Sequence, residues 1–164
     1  MALNEAFIQE LKRESALTER IFERIPDEKF GWKPHEKSMS IGALANHVAQ
    51  LTSWITPIIQ QENMDFSVPD NRPIPAATQA ELLQNHKKHV ANALAALESA
   101  SDETLLANWK LQHGNHIIFD MPRINVLRFI VMNHFIHHRG QLTVYLRLND
   151  LPVPGLYGPS ADEK

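Results

Sequence analysis

His134 and His138 stand four residues apart. On a helix this spacing puts two imidazoles on one face, one turn apart, where both can reach a single metal ion. The apolar stripe Leu127, Val131, Leu142 and Tyr145 runs through the same positions. Both rings are therefore expected to point inward, where polar nitrogens without partners are costly. A metal would satisfy them. His47 lies between Leu44 and Leu51 at helical spacing and faces inward as well, which makes it the third candidate ligand. Three imidazoles with a position left open is the arrangement of a catalytic divalent site such as zinc. Such a site can acidify a bound water or thiol, or polarise a carbonyl. The alternative for each ring is a core histidine bonded to a neighbour. No Glu follows His134, so the metalloprotease pattern is absent. No Glu stands three residues before His47, His134 or His138, so a ferritin-like di-iron centre is excluded too.

Other residues can support or rival this group. Gln141 falls one turn after His138 and can hold a metal-bound water or orient a ligand ring; it is the one candidate for a catalytic role. His137 is one position off the ligand face and is read as an exposed or rim residue. Arg139 is expected in a helix-surface ion pair, with contact to an anionic substrate as the alternative. His86, four after Leu82 and four before Val90, faces inward; a buried histidine bonded to a neighbour is preferred over a fourth ligand or a general base. His89, His113, His116 and His35 are read as surface or loop residues. Trp32, Trp54 and Trp109 are read as core anchors, one of which can line a pocket.

The elements that would position these residues are helical. Leu3, Phe7, Leu11, Ile21, Phe22 and Ile25 recur at helical spacing, and Pro26-Asp27 ends the run. Ser40 can cap a second helix with the stripe Ile41, Leu44, Val48, Leu51, Ile55 and Ile58, kinked or shortened by Pro57. Residues 63–77, with Pro69, Pro73 and Pro75, read as a loop crossing between helices. Thr78-x-x-Glu81 is a capping-box signature before a third helix through Leu97. Residues 101–107 suit a short helical turn, and 108–120 a small hairpin or extended loop around Gly114-Asn115. Asp120 can cap the last helix, with Pro122 in its first turn and Asn149 to Pro152 as its stop. The expected fold is all-α: one domain over residues 1–164, a four-helix bundle with a long crossover and a small hairpin or loop before the last helix.

Composition narrows the partners. The chain has 16 Lys+Arg against 19 Asp+Glu, a formal charge of −3, and no basic stripe, so nucleic-acid binding is not expected. There is no cysteine, which removes disulfides, thiolate metal sites and a cysteine nucleophile. The first residues carry acids and no long apolar run, so a secretory signal is not expected. No stretch of about 18 apolar residues suggests a membrane span. A cytoplasmic protein acting on a small molecule fits these facts.

Three blocks of sequence resemble a known family. They are Trp32-x-Pro34, Ser40-Ile41-Gly42-x-Leu44-Ala45-x-His47, and Asn133-His134-Phe135-Ile136-His137-His138-Arg139-Gly140-Gln141-Leu142. The closing Tyr145-Leu146-Arg147 and Val153-Pro154-Gly155-Leu156-Tyr157-Gly158-Pro159-Ser160 also fit. The chain is similar to the DinB-like, or YfiT-like, family of metal-dependent proteins. The resemblance implies a crossover four-helix bundle, often dimeric, so a homodimer is expected. It implies one divalent metal on His47, His134 and His138: zinc or nickel, with iron as a further candidate. It also implies an enzyme that uses an exogenous low-molecular-weight thiol, an S-transferase in the leading reading. A metal-dependent hydrolase, and a non-catalytic bundle that binds metal or a small stress-related ligand, are the alternatives.

Overall fold

Apolar periodicity and local caps build most of the fold. The computed structural model describes residues 2–68 and 74–163. Helix α1 covers Leu3–Phe22 and buries Phe7, Ile8, Leu11, Ile21 and Phe22. Helix α2, Ile41–Leu51, starts where the Ser40 hydroxyl accepts from the Ala43 amide at 3.2 Å. Gly42 is required there, because an added Cβ would come within 2.7 Å of the Phe30 ring. A 3₁₀ turn at Thr52–Trp54 separates α2 from α3, Ile55–Gln60. Pro57 lies four residues after Ser53 and can neither donate to its carbonyl nor avoid crowding it, so the break falls just upstream of the proline.

Helix α4 covers Gln79–Ser99, and the Thr78 hydroxyl accepts from the Glu81 amide at 3.3 Å. The Glu81 carboxylate reaches back to the Ala77 amide, at 2.8 Å. Helix α5, Asp102–Leu106, is capped by Ser101. Helices α6, Arg123–Val126, and α7, Asn133–Leu148, are joined through a π-helical turn at Leu127–Met132. Long helices dominate and a small sheet accompanies them, so the all-α expectation holds apart from that sheet.

The sheet corrects two expectations. Strand β1, Asn63–Asp65, lies in the segment read as loop and pairs parallel with β2, Asn108–His113. Strand β3, His116–Pro122, returns antiparallel from the turn at Gly114, whose φ is 58°. Pro69 and Pro73 of the expected crossover lie outside the described residues. Asp120 does not cap the last helix: it belongs to β3, opposite Lys110. Pro122 takes the cap position without a side-chain bond, and the helix begins at Arg123. The hairpin ladder holds the chain extended to Pro122, so helical geometry cannot begin at Asp120.

Two apolar clusters form the core. One joins Phe7, Leu11, Ile58, Leu97, Trp109 and Leu127, and the other joins Ile21, Phe22, Leu44, Val48, Leu82 and Phe135. Fully buried His86 sits in the second region, edge-on to Phe22 and stacked on Phe135, with Nε2 3.0 Å from the Ser15 hydroxyl. This matches the buried, neighbour-bonded reading. Burial lowers its pKa to about 4. The folded state thus keeps His86 neutral where an unfolded chain, titrating near 6.5, takes up a proton. Stability is unaffected above that range and falls as pH drops from about 6.5 toward 4. At pH 5 the loss from this residue is about 2 kcal/mol. Urea unfolding at pH 7 and pH 5 checks it: His86→Gln should show a pH-dependent loss smaller by about that amount.

Candidate metal centre

His47 sits on the face of α2 that packs against α7, which carries His134 and His138. The three residues are half-buried, and one ring nitrogen from each lies within 4.8 Å of the others. The His47 and His134 Nε2 atoms are 3.2 Å apart. Ring centroids are 4.9 Å apart for His47–His134, 4.7 Å for His47–His138 and 4.6 Å for His134–His138. Two nitrogens bound at about 2.0–2.1 Å to one tetrahedral ion stand about 3.3 Å apart. The observed pair already meets that spacing, and the donor set is three imidazoles. The group can hold a metal ion.

The surroundings prepare the rings for that task. His138 Nδ1 donates to the Gln141 side-chain oxygen at 2.7 Å. That bond fixes the tautomer and leaves Nε2 with its lone pair free. The His47 pKa falls to about 4, first through burial and then through the neighbouring His138 and His134 rings. The His134 pKa is lowered by burial and by His138, with a backbone hydrogen bond at Ile130 pulling the other way. His47 and His134 are therefore favoured as neutral imidazoles, the form that binds metal, at neutral pH.

Residues around the group fall as follows. His137 is exposed beside His138, with ring centroids 4.9 Å apart, and lies outside the three-ring group. His113, His116 and His35 are exposed. His89 Nδ1 is 3.0 Å from the Ala49 carbonyl. Arg139 departs from expectation. It is 1% exposed and pairs with Glu14 at 2.6 Å, while Nη1 donates to the Glu14 backbone carbonyl at 3.0 Å. The Tyr157 hydroxyl donates to the same carboxylate at 2.6 Å. The helix face after His138 points toward α1 rather than to solvent, so Arg139 braces α7 and faces no substrate.

His47 and His134 open into a cleft of about 1110 Å³ between α2–α3 on one side and the sheet with the π turn on the other. Gln50, Trp54, Gln60, Asn63 and Phe66 are among its lining residues. Of these, sequence reasoning reached only Trp54, as one of three tryptophans of which one could line a pocket. Gln50 and Trp54 lie three and seven residues after His47, so the helical face of His47 itself was the signal that could have found them. Arg123 was not singled out either. Its guanidinium donates to the Ile58, Asn108 and Gln61 carbonyls at 2.8, 2.8 and 3.0 Å and fastens α3 to the hairpin at the cleft rim.

The chain matches the DinB family model over residues 1–164. It is 28% identical over 158 residues to the uncharacterised protein YrdA of Bacillus subtilis (strain 168), covering 96% of this chain and 89% of that protein. Its fold is similar to a DinB-like protein from Bacillus cereus, with a TM-score of 0.69, 24% identity and coverage of 93% and 97% of the two chains. A DinB-like protein of Bacillus subtilis, YjoA, gives a TM-score of 0.69 at 22% identity, covering 96% of this chain and 97% of that one. A mycothiol-dependent maleylpyruvate isomerase shares the fold more distantly, with a TM-score of 0.52 at 12% identity, covering 91% of this chain and 64% of that one. With the family match spanning every residue, this chain belongs to the DinB family.

Proposed function

We propose that this chain is a metal-dependent enzyme, with one divalent ion on His47, His134 and His138, that transfers an exogenous low-molecular-weight thiol to an electrophilic small molecule. The observation that carries the reading is the convergence of three imidazole nitrogens at the wall of a large cleft. Three protein ligands leave a position open, whereas structural sites are closed by four. When bound, the ion would lower the pKa of a thiol or water at that position. Gln141 holds His138 in the donor tautomer, α2 and α7 fix the angle between the rings, and the cleft receives the substrate. The chain has no cysteine, so the thiol must come from outside. Thiol dependence in a protein of the same fold, the mycothiol-dependent isomerase, supports this choice.

No helix among the described residues is long and apolar enough to cross a membrane. The reading places the protein in the cytoplasm, where small thiols are kept reduced. A homodimer completes it. Phe129, Val144 and Leu148 stand exposed on the last helical stretch, and light scattering should give about twice the 18.7 kDa chain mass.

The test is a panel of small thiols with electrophilic acceptors, run on zinc-loaded and chelator-treated protein. Product that requires both metal and thiol is expected. Product formed at the same rate after metal removal defeats the reading. Metal-dependent product without any thiol establishes the hydrolase alternative, which the open position equally allows.

A further inference from the structure

The cleft's own chemistry says what kind of thiol it takes. Gln50, Gln60 and Gln61 line its α2–α3 wall, continued by Asn63. Trp54 meets Phe66 edge-on, with ring centroids 5.8 Å apart, and the two rings form an apolar corner beside those residues. Across the opening stand Leu111, Ile118, Phe119 and Ile130.

Charge is nearly missing. Among the described lining residues Asp65 alone is charged, and both its oxygens are engaged. Oδ1 accepts from the Ser67 backbone amide and hydroxyl at 2.8 and 2.7 Å and from the Gly114 backbone amide at 2.9 Å, and Oδ2 accepts from the Gln112 side-chain Nε2 at 2.9 Å. That carboxylate ties the rim turn to the hairpin and has little left for a cation. Arg123, which holds the rim at Gln61, directs its Nε, Nη1 and Nη2 at backbone carbonyls. A carboxylate or phosphate on the ligand body would find no lysine or arginine among those lining residues to pair with, and any water it gave up there would go unreplaced. A carboxamide or hydroxyl would find donors and acceptors in the glutamine and asparagine side chains.

Resting on the metal-and-thiol reading above, we propose that the cleft selects an uncharged thiol. Its apolar or aromatic body lies on Trp54 and Phe66, its amide or hydroxyl groups face Gln50, Gln60 and Asn63, and its sulfur points toward His47 and His134. An ion held by His47, His134 and His138 would put its positive charge at the end of the cleft that His47 and His134 line, where a thiol sulfur could meet it. Among the described lining residues, the far wall offers the body of the ligand no cation.

Calorimetric titration of the zinc-loaded chain tests this with three probes: para-(mercaptomethyl)benzamide, para-(mercaptomethyl)benzoate and para-methylbenzamide. The thiol amide should bind at least about tenfold tighter than the thiol acid. Gln60→Lys, which adds a cation to the wall, should narrow that gap by at least about threefold with zinc affinity unchanged. Equal or tighter binding of the acid overturns the proposal, as does an unchanged gap in Gln60→Lys or no binding by any probe. If para-methylbenzamide binds as tightly as the thiol amide, the sulfur step of the proposed function fails. The amide-to-acid comparison still judges the cleft on its own, so the two failures remain distinct.

Discussion

Replacing His134 by alanine should abolish tight zinc binding. In competition with a chromogenic chelator, affinity should fall by more than about a hundredfold, because loss of an outer-shell partner alone already costs about 10–100-fold. The remaining two rings, His47 and His138, come from different helices with centroids 4.7 Å apart, and they leave the ion under-coordinated. Gln141→Ala should give the milder effect, on the order of tenfold, since it removes only the bond that orients His138. Thermal unfolding offers a second readout. A ligand bound only by the folded state adds about 2.7 kcal/mol at a concentration 100 times its Kd, so zinc should raise the wild-type melting temperature and leave His134→Ala unmoved. A His134→Ala protein that binds zinc as tightly as the parent would place the metal elsewhere.

Arg139→Ala should be the most destabilising single change. It strands the Glu14 carboxylate, which lies 5% exposed against the guanidinium. Breaking a buried pair by removing one partner costs about 3–5 kcal/mol, because an uncompensated charge stays behind. That is a large part of the about 5–15 kcal/mol that holds a typical domain together. Tyr157→Phe should cost less, about 1.5–3 kcal/mol, the usual worth of hydrogen bonding to charged groups, since it removes a hydroxyl that donates to Glu14 and accepts from Arg139. The double replacement Arg139→Met with Glu14→Leu should recover most of the loss, as apolar substitutes of similar volume often do. Guanidinium unfolding measures all three. A loss below about 1 kcal/mol for Arg139→Ala would show that Glu14 escapes to water. The network also bears on the site. Arg139 follows His138 directly and locks that turn of α7 to α1, holding the opposite face, with His134 and His138, toward α2.

The residues of the candidate centre were legible because helical geometry is local. Spacing of three and four residues fixes a face, and the apolar neighbours Leu44, Leu51, Val131 and Leu142 say that the face is inward. The Ser40 and Thr78 caps follow from the same short-range logic, and the structure keeps both. His86 was legible as a buried, bonded ring for the same reason.

What tertiary structure alone decided involves partners distant in sequence. Asn63–Asp65 carries no strand pattern of its own and becomes a strand because Lys110, Leu111 and Gln112 offer an edge 47 residues later. Asp120 looked like a cap until pairing with Lys110 claimed its backbone. Arg139 reads as a surface charge in any local window, and only the approach of α1 with Glu14, and of Tyr157 beyond the helix end, makes it a buried brace. The spacing of the histidines singled out the three candidate rings and their face. The 3.2 Å between His47 and His134 was set by how closely α2 and α7 pack, a distance that depends on every side chain between them rather than on any motif.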